Sequence, residues 1–235
     1  MTHLLSIETS TAVCSVAAHG DGNLLAFAEV HREQSHATKL AGLIRDVAYS
    51  ADVKMEDIQG VVVSAGPGSY TGLRIGTSTA KGLCYSLSIP LLSIGTLDLL
   101  AAQIGEFNLT RAWLCPMIDA RRMEVYCLLA DADQNIIQPV EARIIDESSF
   151  AKELETTPII FFGDGASKCR EVIRHPNALF IDGVTPSASH LGRLGWRKYQ
   201  EEAVEDLAQF EPFYLKEFRV KKPAQLKDVA PNKNG

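Results

Sequence analysis

The sequence predicts an α/β protein made of two similar lobes, and two observations carry that prediction. In each half, three short apolar segments of strand type precede a helical segment, a buried strand and another helix. The length of 235 residues fits two small domains or one large one. The composition, 46% hydrophobic and 22% charged, excludes disorder, collagen-like fibres and coiled coil as the main description. We place the division near Phe107, which gives lobes of residues 1–106 and 107–235.

The first half opens with a predicted meander, in which turn residues separate the strands 4–7, 13–18 and 24–30. Apolar residues then recur at helical spacing over 35–50, with Ser35 as the expected N-cap. The apolar run 58–64 is typical of a central parallel strand that is buried on both faces. Three further elements complete the lobe: a helix over 69–87, a strand over 91–93 and a helix over 97–104.

The second half repeats this order more weakly. Four strands are predicted, over 113–118, 124–130, 142–145 and 158–162. Three helical segments accompany them, over 150–154, 167–174 and 187–199. A return of the last helix, near 187–200, onto the first lobe is one arrangement that this order allows.

The charge is unevenly distributed along the chain. The net charge of −6 argues against autonomous, non-specific binding of nucleic acid, which needs a basic surface. Residues 213–235 hold six basic and two acidic side chains, so this tail carries +4 and the preceding 212 residues carry −10. A basic tail on an acidic body is either an interaction segment or a solvated tail that keeps the protein soluble.

The cysteines and the N-terminus predict a cytoplasmic protein. The five cysteines are widely spaced and form no CxxC pair, so neither a disulfide framework nor a zinc ribbon is expected. The start, MTHLLSIETS, lacks the basic region and the apolar core of a signal peptide. The longest uncharged stretch, 82–97, is interrupted by Pro90 and Gly95 and is too short to span a membrane.

A glycine-rich loop over 65–69 leaves the buried strand and enters the helix behind it. Gly66 and Gly68 permit positive φ angles and the close approach of another group to the backbone. The free N–H groups at the start of the helix favour an anion, although neither a P-loop nor a dinucleotide-binding fingerprint is present. A strand-to-helix turn without any ligand explains the same residues.

A row of small residues continues along that helix. Gly72, Gly76 and Ala80 are spaced by four residues, with Thr79 and Leu83 beside them. Each glycine inside a helix costs about 1 kcal/mol relative to alanine, so we expect the close approach of another helix to compensate. That neighbour is either the 35–50 helix of the same chain or a helix of a partner protein.

Two other turns carry polar residues. An acid and hydroxyls in the first hairpin can face a phosphate, and a hydrogen-bonded turn is the alternative. The turn around Asp164 can pack against a ribose or a base. The candidate nucleotide-facing residues are Glu8, Thr9, Ser10, Thr11, Gly66, Gly68, Gly163 and Gly165. No metal site is predicted, because His31 and His36 lie five residues apart and have no carboxylate cluster beside them.

Three segments together resemble one protein family. They are IETST in the first hairpin, GPGSYTGLRIG at the glycine-rich loop and IDARRMEVY at the start of the second lobe, and EPFYL near the end adds support. They are similar to the bacterial TsaB family, also called YeaZ, whose members take part in the synthesis of threonylcarbamoyladenosine in tRNA. The resemblance covers nearly the whole chain. It implies two lobes of the actin-like, sugar-kinase and heat-shock-protein ATPase fold (ASKHA, ribonuclease H-like).

The resemblance also implies that this chain is not itself the enzyme. Proteins like TsaD, the catalytic relative, carry an HxxxH metal motif, and Thr96 and Leu100 stand at the matching positions here. Leucine cannot ligate a metal, and no other ligand set replaces the histidines. ATP-hydrolysing members of the fold have Asp and then Gly in the first hairpin, whereas this chain has Glu8 and no hairpin glycine. No cofactor is therefore assigned to the chain itself, and ATP or ADP remains a candidate at the face shared with a partner.

The function implied by the resemblance is that of a non-catalytic scaffold or activating subunit. It would pair with TsaD, with TsaE as a third component, and support threonylcarbamoyl transfer to N6 of adenosine 37 in ANN-decoding tRNAs. It would contact tRNA only through that complex, and form a homodimer when TsaD is absent. The helices over 35–50 and 69–87 would supply the surface, with the residues His36, Lys39, Leu40, Leu43, Tyr70, Gly72, Leu73, Arg74, Gly76, Thr79, Ala80 and Leu83. The alternative is an enzyme in its own right, either an ATP-dependent transferase or a glycoprotease-like metallopeptidase.

Overall fold

The structure, a computed structural model, describes residues 1–32 and 35–215 of the chain. The strands of this part are β1 His3–Glu8, β2 Val13–Gly20, β3 Asn23–His31, β4 Ile58–Gly66, β5 Leu91–Gly95, β6 Trp113–Asp119, β7 Glu124–Ala130, β8 Ile136–Ile144, β9 Ile159–Phe162 and β10 Ala178–Ile181. The α-helices are α1 His36–Ser50, α2 Tyr70–Leu87, α3 Thr96–Gly105, α4 Ala151–Thr156 and α5 Ala188–Gln200. None of the helices in the described residues is both long enough and apolar enough to cross a membrane.

Each half of the chain forms one five-stranded sheet, and the two sheets share one topology. The first has the strand order β3-β2-β1-β4-β5 and the second has the order β8-β7-β6-β9-β10. In both, the first three strands form an antiparallel meander, and the last two run parallel to the first strand. This repetition confirms the two similar α/β lobes, and the order is that of the ribonuclease H-like ASKHA fold.

Helices cover both faces of the first sheet, which explains why the interior strand β4 is apolar and fully buried over residues 61–63. Val61 and Val63 point to the layer that holds α1 and α2, where they share a core cluster with Leu40. Val62 points to the opposite layer and packs with Leu99 of α3. The alternation of side chains along a strand therefore places α1 and α2 on one side of the sheet and α3 and α5 on the other.

The helix α5 packs on the first sheet, although it follows the second sheet in sequence. Its Leu191 is buried in the same cluster as Val62. Two glycines let it approach closely, since a Cβ on Gly192 would lie 2.1 Å from the ring of His19 and one on Gly195 would lie 2.4 Å from Val62. A domain boundary near Phe107 falls between the two sheets. It assigns α5 to the second lobe, although α5 packs mainly on the first.

Three predicted elements differ from the structure for identifiable reasons. The strand predicted over 142–145 is the longer β8, an edge strand whose mixed burial gives no continuous apolar run. The helix predicted over 167–174 is a single 3₁₀ turn, Ser167–Cys169. Ser35 stands at the N-cap position of α1 but does not cap it, because its hydroxyl donates to the carbonyl oxygen of Arg32 at 2.6 Å. The short edge strand β10 carried no sequence signal strong enough to predict it.

Candidate functional site

The small residues of α2 face the first hairpin of the same chain. A Cβ on Gly72 would lie 2.1 Å from the carbonyl oxygen of Thr9, and one on Gly76 would lie 2.2 Å from Thr9 Oγ1. Thr9 Oγ1 donates a hydrogen bond to the carbonyl oxygen of Gly72 at 2.9 Å. A Cβ on Gly68 would likewise lie 2.3 Å from the carbonyl oxygen of Ser10. We call Gly68, Gly72 and Gly76 the glycine track, since the hairpin lies in the space that their missing side chains leave.

This arrangement corrects the prediction that another helix packs against Gly72 and Gly76, whereas Ala80 shares a core cluster with Leu40 and Ile44 of α1. The hairpin occupies the space beside the two glycines, and Ala80 is fully buried in the core of the first lobe. Six of the predicted partner residues are buried within the chain: His36, Leu40, Gly72, Leu73, Gly76 and Ala80. They support the helices from beneath and expose almost no surface in the free chain.

The other predicted partner residues retain exposed surface on α1 and α2. Lys39 and Arg74 are exposed, and Leu43, Tyr70, Thr79 and Leu83 are half-buried. The two helices contact each other on the same side of the first sheet. Their outer faces therefore form one continuous candidate surface.

Two glycines that the sequence reasoning missed lie open on these helices. Nothing lies within 4 Å of a Cβ built on Gly42 of α1 or on Gly82 of α2. Each costs its helix about 1 kcal/mol relative to alanine, and no contact within the described residues requires either of them. Tyr49 follows Gly42 by seven residues on α1 and Tyr85 follows Gly82 by three on α2, and the two tyrosines are 87% and 82% exposed. We call the part of α1 and α2 that carries Gly42, Tyr49, Gly82 and Tyr85 the helix-pair surface.

The signal for these glycines was in the sequence, since both interrupt segments with helical periodicity. Spacing by four residues drew attention to Gly72 and Gly76 instead, and spacing alone does not say which face of a helix is free.

A cleft of about 1240 Å³ lies between the two lobes. The first lobe contributes the hairpin residues Ser10 and Thr11, and the first turn of α2. The second lobe contributes Asp119, Arg121 and Asp164. The described end of the chain, residues 213–215, lines the same cleft. Hydroxyl-bearing residues thus line one wall of the cleft, and two acids and an arginine line the other.

Three of the predicted nucleotide-facing residues line this cleft, namely Ser10, Thr11 and Gly68. The other five, Glu8, Thr9, Gly66, Gly163 and Gly165, are not among its lining residues. The glycines among these five serve contacts within the chain. A Cβ on Gly163, whose φ is +99°, would lie 2.3 Å from the carbonyl oxygen of Met117. That turn therefore needs glycine in order to pass close to β6, and Asp164 is the residue that it presents to the cleft.

Glu8 is fully buried behind the hairpin. Its Oε1 accepts a hydrogen bond from the N–H of Ser10 at 2.5 Å. Burial raises the pKa of the Glu8 carboxyl, and the hydrogen bonds from Ser10 oppose that rise only in part. A fully buried carboxyl that accepts the N–H of its own hairpin is suited to fixing the turn, not to binding a cation beside a phosphate.

The two positions that match the metal motif of the catalytic relatives are both closed. Thr96 and Leu100 are fully buried at the start of α3. Residues 1–32 and 35–215 contain no group of three or more His, Cys, Asp or Glu side chains that could hold a metal ion. The five cysteines are free and buried.

The segments that carry the family resemblance converge on the cleft. Tyr70 of GPGSYTGLRIG contacts Tyr214 of EPFYL, with ring centroids 5.0 Å apart. Arg74 Nη1 donates to the hydroxyl of Tyr70 at 2.9 Å. The hairpin of IETST and Asp119 of IDARRMEVY complete the walls. Segments far apart in sequence therefore build one region of the molecule.

The chain is similar to proteins of one family over most of its length. Residues 30–234 match the family model described as TsaD: tRNA N6-adenosine threonylcarbamoyltransferase. A Bacillus subtilis protein named tRNA threonylcarbamoyladenosine biosynthesis protein TsaB is 28% identical, over 91% of this chain and 93% of that protein. The Escherichia coli protein of the same name is 26% identical, over 91% of this chain and 94% of that protein.

Solved structures show the same fold. A Pseudomonas aeruginosa protein described as similar to peptidase YEAZ superposes with a TM-score of 0.81 at 24% identity, covering 92% of this chain and all of that one. The structure named YeaZ from Pseudomonas aeruginosa superposes with a TM-score of 0.75 at 24% identity and the same coverage.

Proposed function

We propose, because this chain belongs to the TsaB/YeaZ family of TsaD-related proteins, that it is an accessory subunit in tRNA threonylcarbamoyladenosine biosynthesis. It pairs with a TsaD-type catalytic protein in the cytoplasm, and a TsaE-type ATPase joins the pair. In this complex the catalytic protein transfers threonylcarbamoyl to N6 of adenosine 37 of ANN-decoding tRNAs. The chain itself supplies no catalytic residue.

The helix-pair surface is the observation that carries this proposal. Gly42 and Gly82 lower the stability of their helices, and the described contacts give no reason for them. A helix of a second protein can approach most closely where a helix has no side chain. Tyr49 and Tyr85 supply exposed aromatic area of the kind that dominates binding energy once it is buried. These features support docking of a helical partner on α1 and α2.

We further propose that the same surface pairs two copies of the chain when the catalytic partner is absent. A twofold contact needs one self-complementary patch, and two copies of α1 and α2 would give four helices packed together. Lys39, Arg45 and Arg74 are exposed on these helices, and Asp46 is an exposed acid among them. Because most of these charges are basic, repulsion between two copies favours an acidic heterologous partner over the homodimer.

The pairing proposal is tested with Gly82→Leu. The new side chain enters open space in the free chain, so the fold should be kept. In the complex it should hold the partner helix away and weaken pairing with the TsaD-type protein by about a hundredfold. The measurement is a binding titration of the purified proteins, followed by an assay of modified tRNA.

Lys152→Leu, an equally exposed leucine on α4 of the second lobe, is the matched control and should pair normally. Normal pairing by Gly82→Leu would show that the helix-pair surface is not the interface. Full activity of the catalytic protein without this chain would overturn the accessory role itself.

We also propose that the isolated chain does not bind nucleotide, and that ATP or ADP binds only where a partner completes the site. The support is the hairpin, which is held down on the glycine track and stabilised by a buried acid. Titration of the isolated chain with ATP should give no saturable binding at micromolar concentration. Micromolar binding with turnover would instead favour the ATP-dependent transferase, and a stoichiometric metal in the purified chain would favour the metallopeptidase.

A further inference from the structure

The junction of the two lobes lies entirely within the described residues, whereas the predicted basic tail lies outside them from residue 216 onward. The helix α3 lies at this junction and packs on both sheets. Leu97 and Leu100 are fully buried against the second sheet, in one cluster with Leu114 of β6. Leu99 is fully buried on the other side of the helix, against the first sheet. Because α3 is apolar on both sides, it joins the cores of the two lobes.

Gln103 of α3 binds one of the two connections between the lobes, residues 182–187, which join β10 to α5. Its Nε2 donates to the carbonyl oxygen of Thr185 at 3.1 Å, and its Oε1 accepts the N–H of Ser187 at 3.3 Å. The amide thus uses both of its hydrogen-bonding ends on the backbone of this connection. A hinge needs residues whose φ and ψ angles are free to change, and this contact opposes such a change.

Side chains also hold the other connection, residues 106–112, which joins α3 to β6. Asn108 Nδ2 donates to the carbonyl oxygen of Ala112 at 2.8 Å, and this bond ties the loop to its own end. Glu106 forms an ion pair with Arg193 of α5. Since α5 follows the connection that Gln103 binds, this ion pair also links the two connections to each other.

We propose that α3 is a lock that holds the two lobes at one angle, so that the cleft keeps its width whether or not a partner is bound. Opening or closing the cleft would have to part α3 from one of the two sheets, and packed cores do not deform gradually. The chain then meets its catalytic partner as one rigid body, which suits the accessory role proposed above. The lock itself does not depend on that role, because it is a property of the isolated chain.

The experiment measures the distance across the cleft by double electron–electron resonance. Spin labels are attached at Ala12→Cys, in the first hairpin at the edge of the cleft, and at Ser167→Cys on the second lobe, both at exposed positions. The five native cysteines are buried, so the chain without these changes should take up almost no label and is the labelling control. The labelled chain should give one distance, and pairing with the TsaD-type protein should shift it by less than about 2 Å.

Variants of the labelled chain test whether α3 is the lock. Leu100→Ala removes buried contacts with the second sheet and should add a second population of distances. Leu154→Ala is the matched control, because it removes the same buried group from α4, within the core of the second lobe, and should keep one distance. Gln103→Met, at a half-buried site, loses both hydrogen bonds to the connection and should broaden the distribution, which keeps the test valid if Leu100→Ala does not fold.

Two populations in the labelled chain itself, or a shift of more than about 2 Å on pairing, would show that the lobes move and would overturn the proposal. Equal broadening by Leu100→Ala and Leu154→Ala would overturn it as well, since it would indicate a general loosening of the protein. A single narrow distance in both Leu100→Ala and Gln103→Met would show that another element fixes the lobes. Failure to pair would remove the proposed function alone, because the distances in the isolated chain would still decide whether α3 is a lock.

Discussion

Replacing Gly72 with alanine should destabilise the protein by about 3 kcal/mol, whereas Gly82→Ala should stabilise it by about 0.5–1 kcal/mol. Both residues lie in α2, so helix propensity favours alanine over glycine at both positions. The difference arises from what the new methyl group meets. At Gly72 it would lie 2.1 Å from the carbonyl oxygen of Thr9, a backbone atom that cannot turn aside. At Gly82 it meets open space.

Denaturant unfolding of the two variants and the unchanged chain measures both effects. A destabilisation of less than about 1 kcal/mol by Gly72→Ala would mean that the hairpin moves freely away from α2, and the glycine track would lose its role. Gly82→Ala also separates the effect on stability from the effect on pairing. Its methyl group should stabilise the free chain, and it should still weaken docking of a partner helix. Gly76→Leu is a poor probe of pairing, because the new side chain would overlap Thr9 and perturb the fold of the free chain.

Glu8→Gln should abolish a loss of stability that the unchanged chain shows as the pH rises. Burial raises the pKa of Glu8 above its ordinary value of 4.5, so the folded chain retains a proton there that the unfolded chain has lost. The free energy of unfolding therefore falls as the pH rises from about 4.5 through the raised pKa, with a slope of at most about 1.4 kcal/mol per pH unit for one group. Glutamine stays neutral, so this component should disappear.

Two histidines contribute a pH dependence of opposite sign. Burial lowers the pKa of His19 and of His190, so their contribution to stability is lost as the pH falls below about 6.5. The histidine contributions are the same in both chains, so they cancel when the free energy of unfolding of Glu8→Gln is compared with that of the unchanged chain. Urea unfolding from pH 5 to pH 8 measures this difference. Glu56→Gln, at an exposed acid, is the control and should leave the profile unchanged. Parallel profiles for Glu8→Gln and the unchanged chain would mean that Glu8 is ionised in the folded protein.

Helices and strands could be predicted from the sequence where the segment is buried and its residues show a clear cap or apolar pattern. The helix α2 begins one residue after the predicted start, because Ser69 caps it by accepting the N–H of Gly72 at 3.3 Å. The apolar run in β4 marks a strand covered on both faces. The strands β8 and β10 lie at sheet edges, where half of each strand meets solvent and the apolar pattern fades.

The candidate site was predicted only in part, for a different reason. Glycine spacing correctly marked α2 as a helix that is closely approached, but it did not identify the neighbour. Thr9, more than sixty positions away in sequence, takes that place, and no local pattern encodes such a contact. The course of residues 201–215 was equally hidden, since Phe213 and Ala65 are joined by a backbone hydrogen bond that any sequence could provide.

The position of α5 makes the second lobe an insertion within the first. Leu4, Val62 and Leu92 are buried beside Leu191, which the ribosome adds only after both sheets have been synthesised. Until α5 is made, α3 alone covers this face of the first sheet, so part of the apolar face stays exposed at the stage when exposed apolar surface favours aggregation. The core of the amino-terminal half is therefore completed only by the last quarter of the polypeptide.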